Sequence, residues 1–94
     1  MTESALPAGV NISNNVLFQN LGEEYVLLNT ETELYFGLDS VAAMFWQLFA
    51  DGLNIPAAVD RFMAEYDIDK ETLERDLNSL LKTLENYQLL TLQR

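Results

Sequence analysis

Between Glu33 and Gly52, in ELYFGLDSVAAMFWQLFADG, the apolar period changes from two to about 3.6 within a pair of residues. Any fold for this chain must let a short strand run straight into a helix. Leu34, Phe36 and Leu38 alternate with Tyr35 and Gly37, the signature of a strand with one buried face. Val41, Met44, Phe45, Leu48 and Phe49 then follow the i, i+3, i+4, i+7, i+8 spacing of an apolar helical stripe, which predicts that this stripe faces the core. The switch falls at Asp39-Ser40, either of which can cap the helix by accepting from an unsatisfied N-terminal amide. Gly52 supplies a stop.

Upstream, Val16 to Leu21 and Glu24 to Asn29 read as two further strands, with turn signals at Gly22-Glu23 and at Thr30 to Thr32. Joints this short make the three strands antiparallel neighbours in order. Residues 1–15, rich in Ser, Asn, Pro and Gly, read as a flexible tail, so the folded domain is expected to span 16–94. Downstream, a second helix opens at Asn54 with Pro56 in its first turn and carries Ile55, Val59, Phe62, Met63 and Tyr66 on one side. Asp69 caps a third, where Leu73, Leu77, Leu80, Leu81 and Leu84 form a stripe with Tyr87 near its margin. The expected architecture is α+β, a three-stranded antiparallel sheet followed by three helices in a winged-helix-like arrangement.

Charge and composition narrow the function. The 94 residues include no cysteine and no histidine, which removes thiolate and imidazole chemistry, disulfides and the usual zinc sites. No constellation of the remaining groups supports catalysis, so a non-enzyme with no cofactor or metal is expected. Asp67-Ile68-Asp69-Lys70-Glu71 briefly resembles a calcium loop, but Thr72 sits where the turn glycine belongs and Asn78 where the bidentate acid belongs. Fifteen acidic residues against five basic ones give a net charge of −10, and the first basic side chain is Arg61. That field has the wrong sign for nucleic acid or an anionic membrane. It favours encounter with neutral or basic partners. The start, MTESALPAGVNISNN, lacks the basic and apolar regions of a secretory signal, and no later run could span a bilayer, which predicts a cytoplasmic chain.

A sheet this small leaves an edge, and the third strand is the least guarded one, with only Glu33 at its entrance. Such an edge is an aggregation liability, a weak homodimer interface or a docking site for an extended peptide. Trp46 lies off the apolar stripe of its helix, where it either packs on a neighbouring helix or marks a partner surface.

Three stretches, EYVLLNTETELYFGLDSVAAMFWQL, AVDRFMAEYDIDKETLERDL and SLLKTLENYQLL, in this order and spacing resemble the PqqD family over about Val16 to Leu90. These small leader-peptide-binding proteins are also called RiPP recognition elements. The first stretch looks like the family's second and third strands and first helix, the second like its second helix and the start of the third, and the last like its closing helix. Two positions depart from the family, Ala42 and Gln88, where glycine is frequent. The second removes the easiest left-handed cap and leaves the end of the last helix open.

The resemblance implies a non-catalytic adaptor that takes the leader of a ribosomally made precursor as an added strand, in the groove between the third strand and the last helix. On the strand it implicates Leu34, Tyr35, Phe36, Gly37 and Leu38. On the helix it implicates Asp76, Leu80 and Thr83, where Asp76, read as a partly buried carboxylate, matches an Asp common in the family and lies about 40° from Leu80 and 20° from Thr83 around the axis. The closer similarity is to members of lasso-peptide maturation, with a leader peptidase and a cyclase as partners. Pyrroloquinoline quinone assembly with a radical-SAM enzyme is the alternative within the class. Outside it stand a winged-helix regulator, for which the acidic last helix is unsuited, and a structural homodimer.

Overall fold

The structure, a computed structural model, describes residues 6–93. Its elements run β1 (Gly9–Ile12), β2 (Val16–Asn20), β3 (Tyr25–Asn29), β4 (Leu34–Leu38), α1 (Ser40–Ala50), α2 (Ile55–Glu65), α3 (Lys70–Asn86) and β5 (Leu90–Gln93). The expected meander is present as an antiparallel sheet in the order β2-β3-β4. Its first turn is closed by Leu21 N–H donating to the Glu24 carbonyl at 2.7 Å, with Gly22 at φ 88° supplying the positive dihedral that a II′-type hairpin requires. At the second turn Glu33 takes the left-handed position at φ 64°.

One boundary is corrected. The supposed tail contributes β1, which pairs antiparallel with β5 so that Val10 opposes Leu92 and Ile12 opposes Leu90. Each of these strands is four residues long, and the partners lie at opposite ends of the chain, so neither had a local signal to be read. Ile55 N–H also donates to the Ala8 carbonyl at 3.2 Å, which fixes the entry to β1 against the start of α2. Positions 1–5 of the expected tail lie outside the described residues.

All three expected helix caps form: Asp39 accepts from Ala42 N–H at 2.8 Å, Asn54 from Ala57 at 2.9 Å and Asp69 from Thr72 at 3.0 Å. Helix α1, however, is turned from the expected orientation. Ala42, Ala43, Phe45, Trp46 and Phe49 are buried, whereas Val41 is 47% exposed. At 100° per residue the buried face is centred about 135° away from the stripe Val41–Met44–Leu48. Size explains the rotation: Ala42 and Ala43 let the helix backbone approach its neighbours closely, and Trp46 fills the core with the largest apolar surface on the helix. Trp46 is therefore core, at 4% exposure, and not a partner surface. The Phe45 and Phe62 rings stack at 4.9 Å and tie α1 to α2.

The core is completed by Leu27 from the sheet, Ile55 from α2 and the α3 stripe Leu73, Leu77, Leu81 and Leu84. Replacing Leu81, which has no exposed surface, by alanine should cost about 3 kcal/mol in urea unfolding, whereas Val41→Ala should stay within about 0.5 kcal/mol.

Candidate functional site

Two hydrogen bonds fix which main-chain groups of the sheet are free. Leu21 N–H bonds the Glu24 carbonyl, and Thr30 N–H bonds the Asn15 carbonyl at 2.7 Å, so both pairs are of the hydrogen-bonded kind. Bonded and non-bonded pairs alternate in an antiparallel ladder, which makes Gln19–Val26 and Leu17–Leu28 the bonded pairs between β2 and β3. Strand β3 therefore turns Tyr25, Leu27 and Asn29 toward β4, where their partners are Leu38, Phe36 and Leu34. The N–H and C=O groups of Tyr35 and Gly37 are left pointing away from the sheet. No strand of the described residues lies on that side of β4.

Side chains alternate with equal consequence. Leu34, Phe36 and Leu38 share the face of Leu27, which is fully buried, so they point toward the helices. Their exposure falls along the strand, from 51% at Leu34 through half-buried Phe36 to 7% at Leu38. Leu38 is thus core and not an accessible contact. Tyr35, at 66% exposure, lies on the opposite, outer face in a row with Leu28 and Leu17, so its side chain does not line the space between β4 and α3. Its contribution to that edge is main chain.

The facing wall is one margin of α3. The Tyr87 ring, at the end of the helix, meets Phe36 edge-on with centroids 5.0 Å apart. Thr83, Leu80 and Asp76 precede Tyr87 by four, seven and eleven residues, which places them on the same margin, all within about 40° of it. Leu80 and Thr83 are half-buried. The Thr83 hydroxyl donates to the Ser79 carbonyl at 3.1 Å, which leaves its lone pairs to accept. Asp76 is exposed rather than partly buried, so it is a solvated charge on the rim. The Phe36–Tyr87 contact joins the inner face of β4, which also carries Leu34, to the α3 margin that carries Leu80 and Thr83, and the free groups of Tyr35 and Gly37 lie along the adjoining strand edge.

One buried polar side chain holds the two walls together. Asn29, 2% exposed, accepts through Oδ1 from Glu31 N–H at 2.9 Å and Thr32 N–H at 3.1 Å, and donates through Nδ2 to the Gln88 carbonyl at 3.1 Å. The same carbonyl accepts from the Ser13 hydroxyl at 3.0 Å. Gln88, at φ 61°, takes the left-handed position that glycine would hold without strain, at a cost of roughly 1–2 kcal/mol that these two bonds help to offset. So α3 ends where a glycine would have ended it. Sequence reasoning missed Asn29 because a polar residue before a turn looks like solvent-facing punctuation. Tyr87 was legible only through its spacing from Thr83 and Leu80. Among the described residues no group of acids gathers into a metal-binding set.

The family model described as Coenzyme PQQ synthesis protein D (PqqD) matches residues 24–90. The chain belongs to the PqqD family. Two solved structures resemble this PqqD-family chain. One, described as TbiB1 in complex with the TbiA(beta) leader peptide, is 41% identical, with 85% of this chain and 93% of that one covered and a TM-score of 0.79. The other, described as lasso peptide synthetase B1 complexed with the leader peptide, shares the fold at 21% identity and a TM-score of 0.79, over 89% of this chain and 99% of that one. No curated protein matches the chain.

Removing the Asn29 tie tests the groove's architecture. Asn29→Ala should destabilise the protein by about 1–3 kcal/mol and speed amide exchange at Glu31 and Thr32 by about tenfold or more, because two turn amides lose their acceptor and the Gln88 carbonyl loses one of its two donors. Unchanged exchange at both amides would contradict the role given to this side chain.

Proposed function

We propose that this chain is a non-catalytic adaptor that binds the leader of a ribosomally synthesised precursor peptide as an added strand on β4 and presents it to modifying enzymes. The observation that carries the reading is the unpaired lip of Tyr35 and Gly37 beside an apolar groove, in a chain 41% identical to a protein solved with a leader peptide. Strand addition reads main chain for affinity and alternate side chains for selectivity.

Magnitudes assign the parts. Two free residues offer four main-chain bonds, each worth a net of roughly 1 kcal/mol, whereas micromolar binding needs about 8 kcal/mol before the ordering of the leader is counted. The remainder falls to apolar side chains of the leader entering between Leu34, Phe36, Leu80 and Tyr87, at about 1.5–3 kcal/mol for each one fully buried. Phe36 and Leu80 are the central contacts in this reading, Thr83 a hydrogen-bond acceptor, and Asp76 a rim charge for a basic leader residue.

Holding the leader raises the concentration of the attached core peptide near an enzyme that docks on the same adaptor. Lasso-peptide-type maturation, with a leader peptidase and a cyclase as partners, is the favoured setting. The fold is shared with a protein described as lasso peptide synthetase B1. Pyrroloquinoline quinone assembly is the second setting, favoured by the description of the family model. A cytoplasmic location belongs to the reading; among the described residues, no helix is long and apolar enough to cross a membrane.

Pairing of two β4 strands is the competing use of the edge, and charge opposes it. In an antiparallel pair centred on Phe36, Glu33 of one copy would face Asp39 of the other, in chains of net charge −10 each. Sedimentation at micromolar concentration should therefore give a monomer.

Gly37→Pro deletes one outward N–H at a position where an edge strand tolerates proline, and Leu80→Arg puts a charge in the groove. Each should weaken binding of a leader peptide by about tenfold or more with far-UV dichroism unchanged, while Tyr35→Ala should stay within about threefold because its side chain faces away. Affinities within a factor of about two for both Gly37→Pro and Leu80→Arg would overturn the groove assignment.

A further inference from the structure

We propose that the guest peptide is read at two places, by strand addition on β4 and by a basic-flanked apolar side chain seated in a second groove between α1 and α2. The proposal rests on the leader-binding reading above and assigns it a further subsite.

The starting point is the apolar stripe that the rotation of α1 leaves over. Val41, Met44 and Leu48 line a groove of about 470 Å³ together with Phe62 and Tyr66 from α2 and Tyr25 from β3. Val41 and Tyr66 remain 47% and 46% exposed. A helix apolar on two faces normally buries both. Here Met44 and Leu48 are half-buried against the core, while Val41 stays open to solvent.

Position selects the occupant. Ser40 and Val41, at the mouth of this groove, come two and three residues after Leu38, the end of β4, and Tyr25 is the cross-strand partner of Leu38. Strands lie about 4.8 Å apart, so a guest on the free side of β4 runs about 10 Å from β3. Three extended residues cover that distance at about 3.3 Å each. A guest strand that continues past Leu38 therefore reaches the groove without a long linker, and the second contact becomes intramolecular, with the gain in effective concentration that linkage brings.

Charge selects the chemistry. Asp51 and Glu65 stand on the groove wall, and its one cation, Arg61, pairs with Glu65 at 4.0 Å. No basic side chain precedes Arg61 in the sequence, so α1 and the sheet beside it present acids alone. The fitting occupant is a leucine-, isoleucine- or phenylalanine-type side chain next to a lysine or arginine. A second copy of this chain, with its net charge of −10, fits poorly.

The test uses the full chain and two synthetic peptides: the whole TbiA(beta) leader, which the 41% identical relative binds, and that leader trimmed to the segment that protects amides on β4. Val41→Glu and Tyr66→Ala alter exposed positions of the groove and leave the β4–α3 site untouched. Each should bind the whole leader about tenfold more weakly than the unmodified protein, and the trimmed leader equally well. Equal binding of the whole leader overturns the second subsite. So does an equal loss for the trimmed leader, which would signal a structural effect, or a loss traced by sedimentation to altered self-association. If neither peptide binds the unmodified protein, the parent reading fails, and this one with it.

Discussion

Among the described residues, strand β4 has a strand partner along one side only. The inward groups of Phe36 and Leu38 face β3, the outward ones belong to Tyr35 and Gly37, and Tyr87, at the end of a helix whose own main chain is already bonded, reaches Phe36. What α3 offers across the gap is side chains: Leu80, Thr83 and the Tyr87 ring that touches Phe36. The edge is thus neither capped by another strand nor open to any flat surface.

Maintaining that gap requires a spacer, and the spacer is polar. Asn29 joins the β3–β4 turn to the end of α3 through Glu31, Thr32 and Gln88, while Ser13 reaches the same Gln88 carbonyl from the loop after β1. Apolar packing is non-directional and alone would draw the two walls into van der Waals contact. Hydrogen bonds of defined length and direction hold the turn and the helix end in one arrangement. The β1–β5 pair then follows α3 and anchors the chain just beyond Gln88, so the groove's far end is held from both sides.

Much of this was legible in the sequence where the signal is local. The alternation through Leu34–Leu38, the capping residues Asp39, Asn54 and Asp69, and the leucine stripe of α3 are set by neighbours a few residues away, and the structure carries each of them. What was lost depended on partners far along the chain. Val10 and Ile12 gain meaning only opposite Leu92 and Leu90, and Asn29 only beside Gln88. The orientation of α1 was misread for a different reason: counting apolar residues gives equal weight to Val41 and Trp46, whereas packing is decided by which face combines close approach with volume. For the site, Phe36 meets Tyr87 at the end of α3, Leu34 shares the inner face of β4 with Phe36, and Leu80 and Thr83 share the helix margin of Tyr87. Tyr35 and Gly37 bring main chain to the strand edge, Leu38 lies in the core, and Asp76 stands on the rim.

The central claim is that two specific amides wait for a guest. Amide exchange on the peptide-free monomer, followed by exchange with a bound leader peptide, reads them directly. The Tyr35 and Gly37 amides should exchange far faster than those of Phe36 and Leu38 when no peptide is present, and become protected on binding. Slow exchange at Tyr35 and Gly37 in the free monomer, or no change when the peptide binds, would contradict it.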